Sequence, residues 1–296
     1  MSMTLTRERA VLEVVDSPQA TAGAGIVIRR PFPSPHLRQL DPFLLFDHFG
    51  PVDVRPGEAQ GFPEHPHRGF ETVTYQIEGA MAHRDSFGGS GELHAGDMQW
   101  MTAGSGLVHS EMPAAEFARQ GGRLQGIQLW VNLPRAAKMS PPRYGDVRAE
   151  RIPVAQSPDG RVTVKVLSGE ALGVWHTLGN RTPFTYLHVT VQPGGRFAQP
   201  IPVGQNAFAY VLSGLGKFGP DAESAAAGHL IVFDPGSEGD AVIAASTDTP
   251  LEVLLLAGVP IGEPIARYGP FVMNTPAEIQ QAVEDYRNGR MGTLSE

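Results

Sequence analysis

Three short blocks recur in the same order in the two halves of this 296-residue chain, and that recurrence limits its fold more than any other feature. Tyr75-Gln76-Ile77-Glu78-Gly79 matches Tyr210-Val211-Leu212-Ser213-Gly214, and Gly96-Asp97-Met98-Gln99-Trp100 matches Gly228-His229-Leu230-Ile231-Val232. Gln128-Leu129-Trp130-Val131-Asn132-Leu133-Pro134 then faces Leu254-Leu255-Leu256-Ala257-Gly258-Val259-Pro260. Apolar, β-branched and aromatic residues running to or from a turn-forming Gly or Pro are the pattern of strands and their ends. Ordered repetition of such blocks points to a duplicated β-barrel or jelly-roll unit.

The intervening sequence agrees. Strand patterns cover residues 11–15, 26–29, 72–78, 81–87, 97–101, 107–112 and 126–133, and resume at 162–167, 184–191, 207–212, 230–233, 241–244 and 251–256. The 35 glycines and 26 prolines are dispersed between apolar runs as turn punctuation, which favours an all-β architecture over disorder. One helix is expected, over residues 276–290, where Thr275 caps, Pro276 fits the first helical position and Ile279, Val283 and Tyr286 recur at helical spacing. Residues 135–160 are rich in Pro, Ala and charge and read as a connection. The expected division is thus an N-terminal domain, 1–134, and a C-terminal domain, 135–296, that includes the connection and the helix.

Composition excludes several functions. A net charge of −8 argues against a surface that works by neutralising phosphates, so direct nucleic-acid binding is not expected. The absence of cysteine removes disulfides, thiolate zinc sites and cysteine nucleophiles together. No apolar h-region opens the chain and no run approaches a membrane span, so the expectation is a cytoplasmic, non-membrane protein, with a monomer as the default state.

Chemistry concentrates in two pairs, His65/His67 and His109/Glu111. Each is spaced i,i+2 in an extended segment, so its two side chains leave the same strand face and both pairs can point into one cavity. Three imidazoles and a carboxylate make an N/O site for a divalent transition metal, with Fe2+ the first choice and Zn, Mn, Ni, Co and Cu compatible with the same donors. The repeat provides an internal control. The 75-to-210 offset takes His65 and His67 to Pro200 and Pro202, and the 96-to-228 offset takes His109 and Glu111 to Ala241 and Ile243. The second copy has no ligands where the first has four.

Neighbours of the pairs carry further expectations. Glu71, on the same strand side as His67, is a candidate ligand or an acceptor that orients an imidazole. Glu64 is a candidate proton acceptor at the cavity mouth, against the plainer reading of a solvated turn carboxylate. Met98 and Trp100 share a strand face; core packing is the first expectation for both, with an apolar wall to the site the alternative. The other histidines, His83 among them, have no paired spacing and take ordinary surface or core roles.

The segments Gly61-Phe62-Pro63-Glu64-His65-Pro66-His67-Arg68-Gly69-Phe70-Glu71-Thr72-Val73-Thr74-Tyr75, Gly96-Asp97-Met98-Gln99-Trp100-Met101-Thr102-Ala103-Gly104, His109-Ser110-Glu111-Met112-Pro113 and Gly269-Pro270-Phe271-Val272-Met273-Asn274-Thr275 closely resemble the pirin family of the cupin superfamily. The likeness runs over nearly the whole chain. It implies a bicupin: two stacked antiparallel β-barrels with a short C-terminal helix, the N-terminal barrel holding one ferrous-type metal and the C-terminal one none. It implies His65, His67, His109 and Glu111 as ligands, with the Glu71 position outside the ligand set.

Activities implied by the resemblance fall into two classes. One is a quercetin 2,3-dioxygenase that opens a flavonol with O2 and releases carbon monoxide. Its substrate would be a small planar aromatic with a 3-hydroxy-4-keto or enediol group, and Glu64, or Glu111 if it loosens, would accept the substrate proton. The other is a redox-sensitive regulator in which the metal tunes binding to a protein partner.

Overall fold

The computed structural model describes residues 7–245 and 248–294. Its contacts divide into two compact units that interleave in sequence. One comprises Gln19–Arg151, Gly179–Thr182 and Ile261–Glu296, and the other the described parts of Met1–Pro18, Ile152–Leu178 and Pro183–Pro260.

The first unit pairs a seven-stranded and a four-stranded antiparallel sheet. In the larger, the spatial order is Arg143–Val147, Met98–Thr102, Phe70–Glu78, Gly122–Asn132, Phe43–Val54, Ile26–Phe32 and Gln19–Ala22. The smaller runs Phe62–His67, Leu107–Pro113, Met81–Asp85 and Ser90–Leu93. Residues 135–160 are more ordered than a connection: Arg143–Val147 forms an edge strand whose Tyr144 faces Met101 in register. A short helix, Ala115–Gln120, also forms without any long helical pattern.

The C-terminal helix, Pro276–Arg287, opens with a capping box in which Glu278 N donates to Thr275 Oγ1 and Thr275 N donates to Glu278 Oε2. Its Ile279, Ala282 and Val283 pack with Val108 and Phe271, which fixes the strand that carries His109 from behind. Tyr286, expected on the same face, is 40% exposed.

The second unit repeats the scheme. His229–Phe233, Asn206–Ser213, Leu251–Gly258, Phe184–Val191 and Val162–Ala171 follow one another as Met98–Thr102, Phe70–Glu78, Gly122–Asn132, Phe43–Val54 and Ile26–Phe32 do in the first unit. The three repeated blocks therefore fall on topologically equivalent strands. Val11–Asp16 adds to this sheet, with Val14 opposite Ile231. A four-stranded sheet, Arg196–Pro200, Asp240–Ala245, Leu215–Phe218 and Glu223–Ala226, corresponds to the ligand-bearing one.

Burial separates the copies. Phe197, Ile201, Phe218, Ile231, Phe233, Ala241, Ile243 and Leu255 form one apolar cluster drawn from both sheets of the second unit. In the first unit the corresponding interior holds buried polar groups, among them His67, Thr74, Gln99, His109 and Glu111.

Candidate metal centre

Alternation along two neighbouring strands builds the site. Phe62–His67 is the edge of its sheet and pairs antiparallel with Leu107–Pro113, His65 opposite His109. Proline is tolerated on an edge, where a missing N–H breaks no ladder bond, and this strand carries Pro63 and Pro66. The register then slips, so that Phe62 faces Glu111 and the Phe62–His67 strand holds one extra residue. Such a bulge re-aims side chains. Here it falls at Pro63 and Glu64, and Glu64 stays exposed at the rim.

Downstream of His67 the chain reverses at Gly69, whose φ is +88° and where a Cβ would lie 2.0 Å from the Val272 carbonyl oxygen. Only glycine fits this turn. Arg68, between ligand and turn, donates from Nε to Ser105 O at 2.7 Å and pairs through Nη1 with Asp285 of the C-terminal helix at 2.8 Å.

The three imidazoles converge. Ring centroids of His65, His67 and His109 lie 4.3–4.9 Å apart, and one nitrogen from each lies within 4.8 Å of the others. His65 Nδ1 contacts the Pro63 carbonyl oxygen at 2.7 Å, which leaves its Nε2 for another partner. His67 Nδ1 and His109 Nε2 are buried with no hydrogen-bond partner. Two orphaned buried nitrogens in one cluster are costly unless something accepts their lone pairs. A divalent cation does so, and the donors present therefore fit a metal.

Burial, then the neighbouring imidazoles, pushes the pKa of His67 and His109 well below the ordinary histidine value. Both are neutral at physiological pH, the state in which an imidazole ligates metal.

Glu111 belongs to the same cleft but stands apart from the imidazole cluster. Its carboxylate accepts from Thr74 Oγ1 at 3.3 Å and from Gln128 Nε2 at 3.1 Å, side chains that reach it from the larger sheet. Glu71 is corrected: fully buried, it neither joins the cluster nor orients an imidazole. It accepts from Thr102 Oγ1 at 2.6 Å and from the backbone of Arg181 and Thr182, pinning the 179–182 segment.

Met98 and Trp100 are both buried in the core, as first expected, and do not wall the site. The residue between them, Gln99, lines an interior pocket with Thr74 and Glu111, so its two neighbours face the other way. The wall is Trp130, 5.0 Å from His67 and stacked on Phe70 at 4.3 Å.

One functional residue escaped the sequence reading. His83 Nδ1 lies 3.4 Å from His109 Nδ1, and His83 Nε2 lies 3.3 Å from Asp85 Oδ2. Burial raises the Asp85 pKa, but the bonds from His83, Phe87 N and Gly89 N outweigh it and hold the carboxyl below its usual range. With Asp85 ionised, His83 donates from Nε2 and accepts the Nδ1 proton of His109, which presents the Nε2 lone pair to a cation. The signal was available as His83-x-Asp85, the same i,i+2 alternation, on the strand facing Glu111 and His109 in register.

A cleft of about 550 Å3 opens on His65, His67 and Glu111. Leu45, Phe49, Phe62 and Trp130 supply its apolar wall, and Glu64, Arg30, Asp47 and Arg267 its charged rim.

Two antiparallel units of one design, the first with a three-histidine metal centre at the base of a cleft and the second with an apolar core, define a cupin-type metalloprotein. The pirin model matches residues 24–131 and the pirin C-terminal cupin model residues 186–292. The chain is 45% identical to a pirin-like protein of Solanum lycopersicum, covering 99% of this chain and 96% of the relative. Against human pirin identity is 44%, covering 96% and 94%. Among solved structures, a quercetin 2,3-dioxygenase from Acinetobacter baumannii superposes with a TM-score of 0.89 at 33% identity, covering 98% of this chain and all of that one. The chain belongs to the pirin family. Among the described residues no helix is long and apolar enough to cross a membrane.

Proposed function

We propose that the protein is a mononuclear metal-dependent dioxygenase of the quercetin 2,3-dioxygenase type, opening a flavonol-like ring with O2. One observation carries the reading: the orphaned nitrogens of His67 and His109 lie beside a cleft of a size to take a planar polycyclic ligand. The likeness to the Acinetobacter baumannii enzyme supports it.

His65, His67, His109 and Glu111 would hold the metal, taken as Fe2+ on the donor set. When bound, it supplies Lewis acidity toward a substrate oxyanion and access to O2 chemistry. The protein supplies the rest. Trp130, Phe49 and Phe62 offer flat apolar surfaces to the substrate rings and keep water from them. Gln128 and Thr74 hold the Glu111 carboxylate in place. Glu64, exposed beside His65, takes the proton of the substrate's enolic hydroxyl; Glu111 is the second candidate and must first release Gln128. The working form is taken to be a monomer in the cytoplasm, its two units closed cupin barrels.

The test is anaerobic purification, elemental analysis and oxygen uptake with flavonols and simple enediols. Uptake by protein with about one metal per chain is expected, with Glu64→Gln keeping its metal and losing turnover. Stoichiometric metal with no uptake would refute the dioxygenase reading, and full turnover in Glu64→Gln would remove that residue from it.

A further inference from the structure

Of the two guanidinium groups on the charged rim of the cleft, one is paired and one is not. Arg30 forms a two-pronged pair with Asp47, Nε to Oδ1 at 2.6 Å and Nη2 to Oδ2 at 2.5 Å, which occupies that carboxylate. Arg267 has no such partner. Its guanidinium lies 4.8 Å from the centre of the Trp130 ring and donates from Nη1 to Leu44 O at 3.1 Å, a neutral carbonyl.

Among the described residues Arg267 enters no direct ion pair, and the nearby Asp47 carboxylate is already taken by both prongs of Arg30. The same indole meets His67 edge-on at 5.0 Å and carries Arg267 over its ring. A planar ligand that reaches the metal centre with one ring edge and lies along Trp130 brings its remote ring to Arg267. Guanidinium stacked on an aromatic face keeps its in-plane donors free for an anion.

We infer that the cleft selects an acidic planar aromatic, one whose ring remote from the metal-binding oxygens bears a carboxylate, sulfonate or ionised phenol, and that Arg267 is the residue that holds this group. The inference rests on the dioxygenase reading of the same site. It adds a specificity that the histidine cluster alone does not supply. Glu64, next to His65 in the chain, works against an anion placed near the metal, which favours the Arg267 end for the acidic group.

The test uses full-length protein loaded with Zn2+, so that binding is read without turnover. A flavonol and the same flavonol sulfonated on its remote ring are titrated, and the shift of their long-wavelength absorption gives Kd. The wild type is expected to bind the sulfonate about tenfold tighter than the parent, a preference that shrinks with added salt. Arg267→Met is expected to bring the ratio to about one, and binding of the parent flavonol by the variant shows that the cleft is intact. A ratio near one in the wild type, or a preserved preference in Arg267→Met, overturns the inference and leaves the dioxygenase reading standing. Failure of both flavonols to bind overturns the two together.

Discussion

Replacing His83 with alanine perturbs the metal centre without touching a proposed ligand. In the wild type the Asp85–His83–His109 chain fixes which nitrogen of His109 carries the proton. Losing such an outer partner costs a metal site roughly 10–100-fold in affinity. Stability makes this measurable. Metal held at a thousand times its Kd stabilises the folded state by about 4.1 kcal/mol, a figure that falls to roughly 1.4–2.7 kcal/mol once Kd rises 10–100-fold. The loss is again about 1.4–2.7 kcal/mol, which at roughly 2–4 °C per kcal/mol lowers the melting temperature by roughly 3–11 °C.

The assay is a melting series in defined free metal for wild type and His83→Ala, with metal-free samples as reference. Truncating a residue only 3% exposed also costs the metal-free protein stability, so the diagnostic is the change in metal-dependent stabilisation, not the absolute melting point. Asp85→Asn, one bond further out, should move the same quantity less. Equal metal-dependent stabilisation in wild type and His83→Ala would refute the argument that His83 orients His109.

Two further outcomes follow from buried titratable groups. His188 is pushed down to about 3, chiefly by burial with a smaller contribution from Lys165. Between that value and the unfolded one the unfolded chain binds more protons, so the stabilising effect of the neutral ring is complete above about pH 6.5 and is lost as pH falls, amounting to about 2 kcal/mol by pH 5. Denaturant midpoints of wild type and His188→Gln should converge as pH drops from 7 to 5, and parallel curves would contradict the assignment. Lys138 donates to Gly69 O at 2.8 Å, Asn132 Oδ1 at 2.7 Å and Val272 O at 3.0 Å. Lys138→Met strands those acceptors beside the turn that follows His67 and should cost about 3 kcal/mol in urea unfolding, whereas a change under about 1 kcal/mol would mean the acceptors find other donors.

Local pattern carried some features of this molecule into plain view and left others hidden. The i,i+2 spacing of His65/His67 and the paired blocks at 75–79 and 210–214 depend only on strand periodicity, so they were readable residue by residue. What the pattern could not supply is partner choice across long separations. Val11–Asp16 pairs with His229–Phe233 more than two hundred residues away, and Arg143–Val147 joins the sheet through Met98–Thr102. Nothing in either strand's own sequence names its neighbour. Glu71 shows the same limit: alternation placed it on the His67 side, yet backbone N–H groups of the 179–182 segment, over a hundred residues away, take its carboxylate. Trp130 was in view as part of a repeated block, but its place against His67 follows from the fold, not from spacing.

The contrast between the two units explains why one of them can carry chemistry. Their strand orders coincide, and Gln199, not the Pro200 reached by the repeat offset, stands opposite Ala241 where His65 stands opposite His109. The copy differs in what fills the space between its sheets: Ile201 is 6% exposed, Ala241 and Ile243 are fully buried, and all three belong to one apolar cluster. Grafting the ligand set there as Gln199→His, Ile201→His, Ala241→His and Ile243→Glu should therefore fail to create a second metal site. Enlarging a packed alanine costs about 1–3 kcal/mol, an unpaired buried imidazole about 1–3 kcal/mol, and a carboxyl at position 243 stays protonated, since nothing there stabilises its charge. Counted over three introduced imidazoles, these terms reach about 4–12 kcal/mol, at or above the roughly 4 kcal/mol that metal at a thousand times Kd returns. Elemental analysis of the grafted chain should still give one metal per chain, with a lowered melting temperature. Two metals per chain at an unchanged melting temperature would show that donor identity alone makes the site, and that the polar interior around Thr74, Gln128 and His83 is dispensable.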